Sequence, residues 1–135
     1  DRDGWLDILM THVIEPKLPK NQLTFIHDYP ASQAALARIM TDDQGQKIAR
    51  RFELYVGGME LANGYWELID GAEQRRRFEK DSRQTGRPMD VNLLDALDAG
   101  MPDCAGVALG LDRLLMLKSK KARISEVLAF DIERA

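Results

Sequence analysis

The segment RFELYVGGMELANGYWELI, residues 51–69, constrains the fold more than any other part of the chain. Two strand-like runs flank Gly57-Gly58, the signature of a two-residue hairpin whose turn needs positive φ at both positions. With these glycines as the turn, Val56 pairs with Met59, Tyr55 with Glu60 and Glu53 with Ala62. Glu53 and Glu60 then lie diagonally on one face, within about 7–8 Å. Two acids so placed repel unless a cation or water separates them. Magnesium accepts a few carboxylates and completes its shell with water and phosphate oxygens. A solvated outer face with incidental acids is the alternative. Farther along, Asn63, Tyr65 and Glu67 recur every second residue and share the face opposite Glu60 by strict alternation. An amide, a phenol and a carboxylate suit an ammonium group on an alkyl chain, and a polar surface strand would look the same. A bulge at residues 62–64 would turn both sets toward one ligand.

A second pattern lies in AGVALGLDRLLML, residues 105–117. Gly106, Ala108 and Gly110 fall on one face of a strand, and Val107, Leu109 and Leu111 on the other, which reads as a core face. A face so bare admits a packed helix or a flat ligand lying on the backbone. Asp112 is placed to cap the following helix. Arg113 falls in its first turn, where the helix dipole disfavours a cation, so a bound anion or a stacked ring is expected against it.

The rest of the chain supplies the frame. Trp5, Leu6, Leu9, Met10 and Val13 predict an amphipathic helix over 3–14, ended by Pro16 and Pro19. QLTFIHDY (22–29) reads as a strand closed by Pro30, SQAALARI as one or two helical turns, and TDDQGQ as a polar loop. Residues 72–84 form a polar, exposed helix on which Arg75, Arg76 and Arg77 are a solvated face. Asp90 caps a helix through Leu93, Leu94 and Leu97 that stops at Gly100. A helix from Arg113 to about Lys118 follows the bare strand, KSKKAR (118–123) is a surface loop, and EVLAFDI is a last strand. The order predicts an α+β fold, an antiparallel sheet flanked by helices, in one domain over 1–135.

With 44% hydrophobic and 30% charged residues the composition is that of a soluble globular chain. The net charge of −3 argues against wholesale coating of nucleic acid. One cysteine, Cys104, excludes an internal disulfide and suits a reducing cytoplasm. No apolar run approaches the roughly 18 residues of a membrane span, and there is no secretory signal. His12 and His27 lack metal-ligand spacing.

GVALGLDRLLML resembles motif 3 of the class II aminoacyl-tRNA synthetases. RFELYVGGMELANGYWEL and YPASQAALA resemble segments of the lysyl-tRNA synthetases in that class. MPDCAGVALGLDR, the ending AFDIERA, and Ala108 where synthetases usually carry glycine are closer to the paralogous elongation factor P–lysine ligases. The resemblance implies a class II catalytic fold that uses ATP and Mg2+. It implies Glu53 and Glu60 as magnesium ligands, and Leu61, Gly110 and Arg113 beside the nucleotide, with Glu60 and Arg113 catalytic. Asn63, Tyr65, Glu67, Gly106 and Ala108 match the amino-acid pocket, Glu67 being the partner of the lysine ammonium. The activity implied is ATP-dependent activation of lysine or a β-lysine isomer as an adenylate, then transfer to a lysine side chain of elongation factor P, by a cytoplasmic homodimer. Charging of tRNA, or a silent paralogue serving as an interaction module, are the alternatives. No segment resembles motif 1 or motif 2, so the chain is expected to be the C-terminal half of the catalytic domain and inactive by itself.

Overall fold

Five strands make one antiparallel sheet in the computed structural model, which describes residues 2–132. They are β1 (Leu23–Pro30), β2 (Ile39–Thr41), β3 (Lys47–Val56), β4 (Met59–Trp66) and β5 (Ala105–Leu109). Their order is β1-β3-β4-β5, and β2 also pairs with β3, Ile39 opposite Ala49 and Thr41 opposite Lys47. The α-helices are α1 (Arg2–Leu9), α2 (Gly71–Thr85), α3 (Val91–Ala99) and α4 (Leu111–Ser119). This is the α+β architecture expected from the sequence, and no helix among the described residues is long and apolar enough to cross a membrane.

The turns follow from local chemistry. Gly57 and Gly58 have φ of 58° and 78°, values a Cβ would strain, and so close the β3–β4 hairpin in two residues. Between β2 and β3, Asp42 Oδ1 accepts the N–H groups of Gln44 and Gln46 at 2.9 and 2.8 Å. Asp70 and Asp90 cap α2 and α3 by accepting the N–H groups of Glu73 and Leu93, each at 3.0 Å.

The chain gathers into two compact units. The first comprises Asp1–His27, Phe52–Gly64 and Val107–Ala135, and the second Asp28–Arg51 and Tyr65–Gly106. In the first, Tyr55, Leu61, Ala62 and Met116 are buried, and the Phe25 and Phe52 rings meet at 5.6 Å between centroids. In the second, Ala34, Ala37, Ala49, Leu94 and Leu97 form the core, with Gln74 buried among them.

Arg77 is the main ionic tie of the second unit and departs from the solvated face expected for the arginine run. Its side chain is 15% exposed and pairs with Glu73 at 3.1 Å. Its Nη1 donates to the carbonyls of Ala35 and Ala37 at 2.9 and 2.8 Å. Ala35 has a φ of 48°, a left-handed conformation that costs a non-glycine residue about 1–2 kcal/mol, and Arg77 holds it there. Arg76 and Arg77 together pull the Glu73 carboxyl below its usual range. Arg77→Ala is expected to lower stability by about 1–3 kcal/mol, because the carbonyl of buried Ala37 loses a charged donor. Urea denaturation checks this. A depressed carboxyl stabilises above its unfolded pKa, so the loss should shrink as pH falls below about 4.

Elsewhere the structure corrects the sequence reading. The helix expected over 3–14 is α only to Leu9, continuing as a π-helical turn (Met10–Ile14) and a 3-10 turn (Glu15–Lys17) that contains Pro16. Its apolar side is not buried, and Trp5 is 68% exposed. SQAALARI supplies only part of one 3-10 turn (Ala31–Gln33), and Ile39 opens β2, a strand too short to show periodicity. Val107 and Leu109, expected in a core, are 65% and 44% exposed. Asp112 is not the cap of α4: Gly110 holds that position, and Asp112 lies in the first turn, where its charge suits the dipole. EVLAFDI is not a strand. A 3-10 turn ends at Glu126 and irregular backbone follows to Ile132, the side chain of Phe130 having no sheet face to cover.

Candidate active site

In the first unit the acids expected at the hairpin are held by specific partners. Tyr55, 3% exposed, donates its hydroxyl to Glu53 Oε2 at 2.6 Å, with Glu15 Oε1 3.2 Å away. The shorter contact is that of a charge-assisted bond, which orients the Glu53 carboxylate. Glu60 Oε1 accepts from Asn63 Nδ2 at 3.3 Å. Residues 60 and 63 therefore share a side, against strict alternation, and Leu61 and Ala62 between them are both buried. β4 nevertheless runs as one strand from Met59 to Trp66.

Arg113, in the first turn of α4, reaches back to β4. Its Nη1 donates to the Glu60 carbonyl at 2.6 Å and lies 3.7 Å from Glu60 Oε2. The Gly110 N–H donates to the Leu61 carbonyl at 2.9 Å, so β4 and the start of α4 are tied twice. Leu61 itself is buried. A Cβ at Gly110 would meet only ordinary contacts, 3.5 Å from Arg113 Cδ and 3.6 Å from the Leu61 carbonyl, so the chain itself does not demand glycine there. Glu15, Tyr55, Gly58, Met59, Glu60 and Arg113 line an open depression of about 380 Å³. Glu15 and Tyr55 were not singled out from sequence. Glu15 lies 40 residues from Tyr55, and no local pattern connects them.

Among the described residues no three His, Cys, Asp or Glu side chains are gathered for a metal ion. An all-protein metal cage is thus absent there. Two carboxylates on adjacent strands are instead the donor set that suits magnesium when substrate phosphates and water supply the remaining oxygens.

In the second unit Glu67 follows the end of β4 and bridges to Ala37. Its side chain lies over Gly106 of β5. A Cβ at that glycine would overlap Glu67 Oε1. The bare strand face is therefore bare, at this residue, because a carboxylate occupies the space. Burial pushes the Glu67 carboxyl above its ordinary value, as expected for an acid partly withdrawn from water. Tyr65 packs near the Arg51 guanidinium, 5.6 Å from its ring centroid, and Tyr29 lies 4.3 Å from the same group. Ala108 belongs to the first unit and is exposed. Of the residues expected in the amino-acid pocket, the second unit thus joins Glu67 to Gly106, while Asn63 is engaged with Glu60.

A sheet with a carboxylate pair on a hairpin, and a glycine-rich strand leading into a helix that opens with arginine, defines a class of protein. Residues 9–134 match the family of class II tRNA synthetases (D, K and N), and the chain belongs to that family. Within the curated proteins it is 51% identical to the elongation factor P--(R)-beta-lysine ligase of Salmonella arizonae, over 100% of this chain and 43% of that protein. It is 50% identical to the protein of the same name from Salmonella gallinarum, with the same coverage. The chain thus spans less than half the length of these relatives.

Proposed function

We propose that the protein to which this chain contributes is an ATP-dependent ligase that activates lysine or a β-lysine isomer and transfers it to a lysine side chain of elongation factor P. The observation that carries the reading is Glu67: a partly buried carboxylate seated on a strand left bare at Gly106. Such a group favours an ammonium ligand, because the incoming cation offsets the desolvation the fold has imposed. The names of the relatives agree with a lysine-type substrate and a protein acceptor.

In the first step a substrate carboxylate oxygen attacks the α-phosphorus of ATP. The bond to pyrophosphate breaks, and an aminoacyl-adenylate forms. In the second, an acceptor amine attacks the acyl carbon, AMP leaves, and the amine gives up a proton. Glu53, set by Tyr55, and Glu60 would hold Mg2+, which when bound neutralises phosphate charge. Arg113 adds positive charge beside the polyphosphate, and positioning with charge neutralisation does most of the work. Arg113 rests on the Glu60 carbonyl through one hydrogen bond, so its guanidinium is already oriented.

Ala108 adds one methyl to the strand that the resemblance assigns to the pocket floor. Ala108→Gly is expected to move preference from the β-isomer toward α-lysine, by roughly 10-fold or more for a methylene-sized change. Relative activation rates of the two isomers measure it.

The deciding experiment supplies the intact gene product with ATP and labelled lysine isomers, offering elongation factor P and tRNA together. Label on the protein is the expected result. Label on tRNA identifies a synthetase, and no label with no pyrophosphate exchange identifies a silent paralogue.

A further inference from the structure

Glu67 is held by a cluster of side chains that the chemistry above does not use. All of it lies in the second unit. Arg38 Nε donates to the Glu67 carbonyl at 2.8 Å, and Arg38 Nη2 to Asp103 Oδ1 at 2.7 Å. The same guanidinium lies 4.8 Å from the Trp66 ring centroid, and the Trp66 indole N–H donates to the same Asp103 oxygen at 2.7 Å. The Glu67 N–H donates to the Cys104 carbonyl at 3.0 Å. The residue is therefore gripped at both its N–H and its carbonyl.

Asp103 is 63% exposed, and an ion pair at that exposure adds little to stability. What the cluster provides is geometry. The planar guanidinium donates along two fixed directions at once. One reaches the main chain of Glu67. The other reaches the segment that leads, three residues on, into Gly106, the floor under the Glu67 carboxylate.

We infer that Arg38 is a positioning residue for Glu67. The inference rests on Glu67 being the ammonium partner. A carboxylate anchored through its own backbone meets the ammonium already oriented, and a loosened one must be ordered first.

The test uses the intact gene product and pyrophosphate exchange, with the best-used lysine isomer. Arg38→Gln is expected to raise KM for the amino acid by roughly 10- to 100-fold, the scale of a misplaced contact. KM for ATP should stay unchanged. Trp66→Phe keeps a ring under Arg38 and removes one bond to Asp103, so a smaller change of the same kind is expected even if Arg38→Gln fails to fold. An unchanged KM for the amino acid in the variants that fold would overturn the inference, as would equal losses toward ATP and amino acid. Glu67→Gln is the control. If it raises the amino-acid KM while the Arg38 and Trp66 variants do not, only the positioning role falls. If it leaves that KM unchanged, Glu67 is not the ammonium partner and the assignment of the pocket falls with it.

Discussion

Gly106→Ala is expected to leave the fold intact and abolish efficient use of a lysine-type substrate. The added methyl would overlap Glu67 Oε1, the far end of a flexible side chain rather than backbone. The chain can therefore relieve the clash cheaply by swinging the carboxylate away, and the melting temperature should move little. Swinging it away removes one partner of the proposed ion pair, and truncating a buried hydrogen-bonded pair costs about 2–5 kcal/mol. Activation by the amino acid, read as kcat/KM in pyrophosphate exchange, should fall by roughly 30-fold or more. A normal rate in a folded Gly106→Ala variant would show that Glu67 does not need its place above β5.

Glu67→Gln should produce a comparable loss of activity with no loss of stability at pH 7. Burial raises the folded-state pKa of this carboxyl above its unfolded value. The folded chain then holds the proton more tightly than the unfolded one. Ionisation of Glu67 therefore costs stability, and that cost grows as pH rises from about 4.3, the unfolded value, through the folded one. Glutamine keeps the shape and never ionises. At pH 7 the variant should be as stable as the parent chain or more so, and near pH 3 the two should match. Thermal melts at the two pH values check this. A variant less stable at pH 7 than at pH 3, relative to the parent chain, would mean that Glu67 has a cationic partner within the fold. A functional carboxylate retained at a cost in stability is common where a site waits for a ligand.

Much of the frame was legible because its causes are local. A two-glycine turn dictates positive φ at adjacent residues, and Gly57 and Gly58 adopt it. Asp70 caps its helix through a bond three residues long, as does Asp90, whose role was read in advance. The bare strand and the acids of the hairpin were visible for the same reason, since alternation assigns faces without knowledge of neighbours. Alternation also misled. It placed Asn63 away from Glu60, yet the two are hydrogen-bonded, and it called Val107 and Leu109 a core face that is exposed in this chain. Periodicity says which residues share a side but not what covers that side.

Much that positions the site came from contacts between distant parts of the chain. Arg38 meets Asp103 across 65 residues, Trp66 meets Asp103 across 37, and Arg113 meets the Glu60 carbonyl across 53. Arg77 resembled its exposed neighbours in the helix until the carbonyls of Ala35 and Ala37 were found beneath it. The sequence by itself determined the hairpin, the caps of α2 and α3, the strand without side chains and the family to which they belong. Each depends on torsional preference or on hydrogen bonds spanning a few residues. Only the tertiary structure decided which carboxylate that strand receives and what holds it there. A partner's identity depends on which distant backbone groups folding leaves unsatisfied, and no local pattern encodes that.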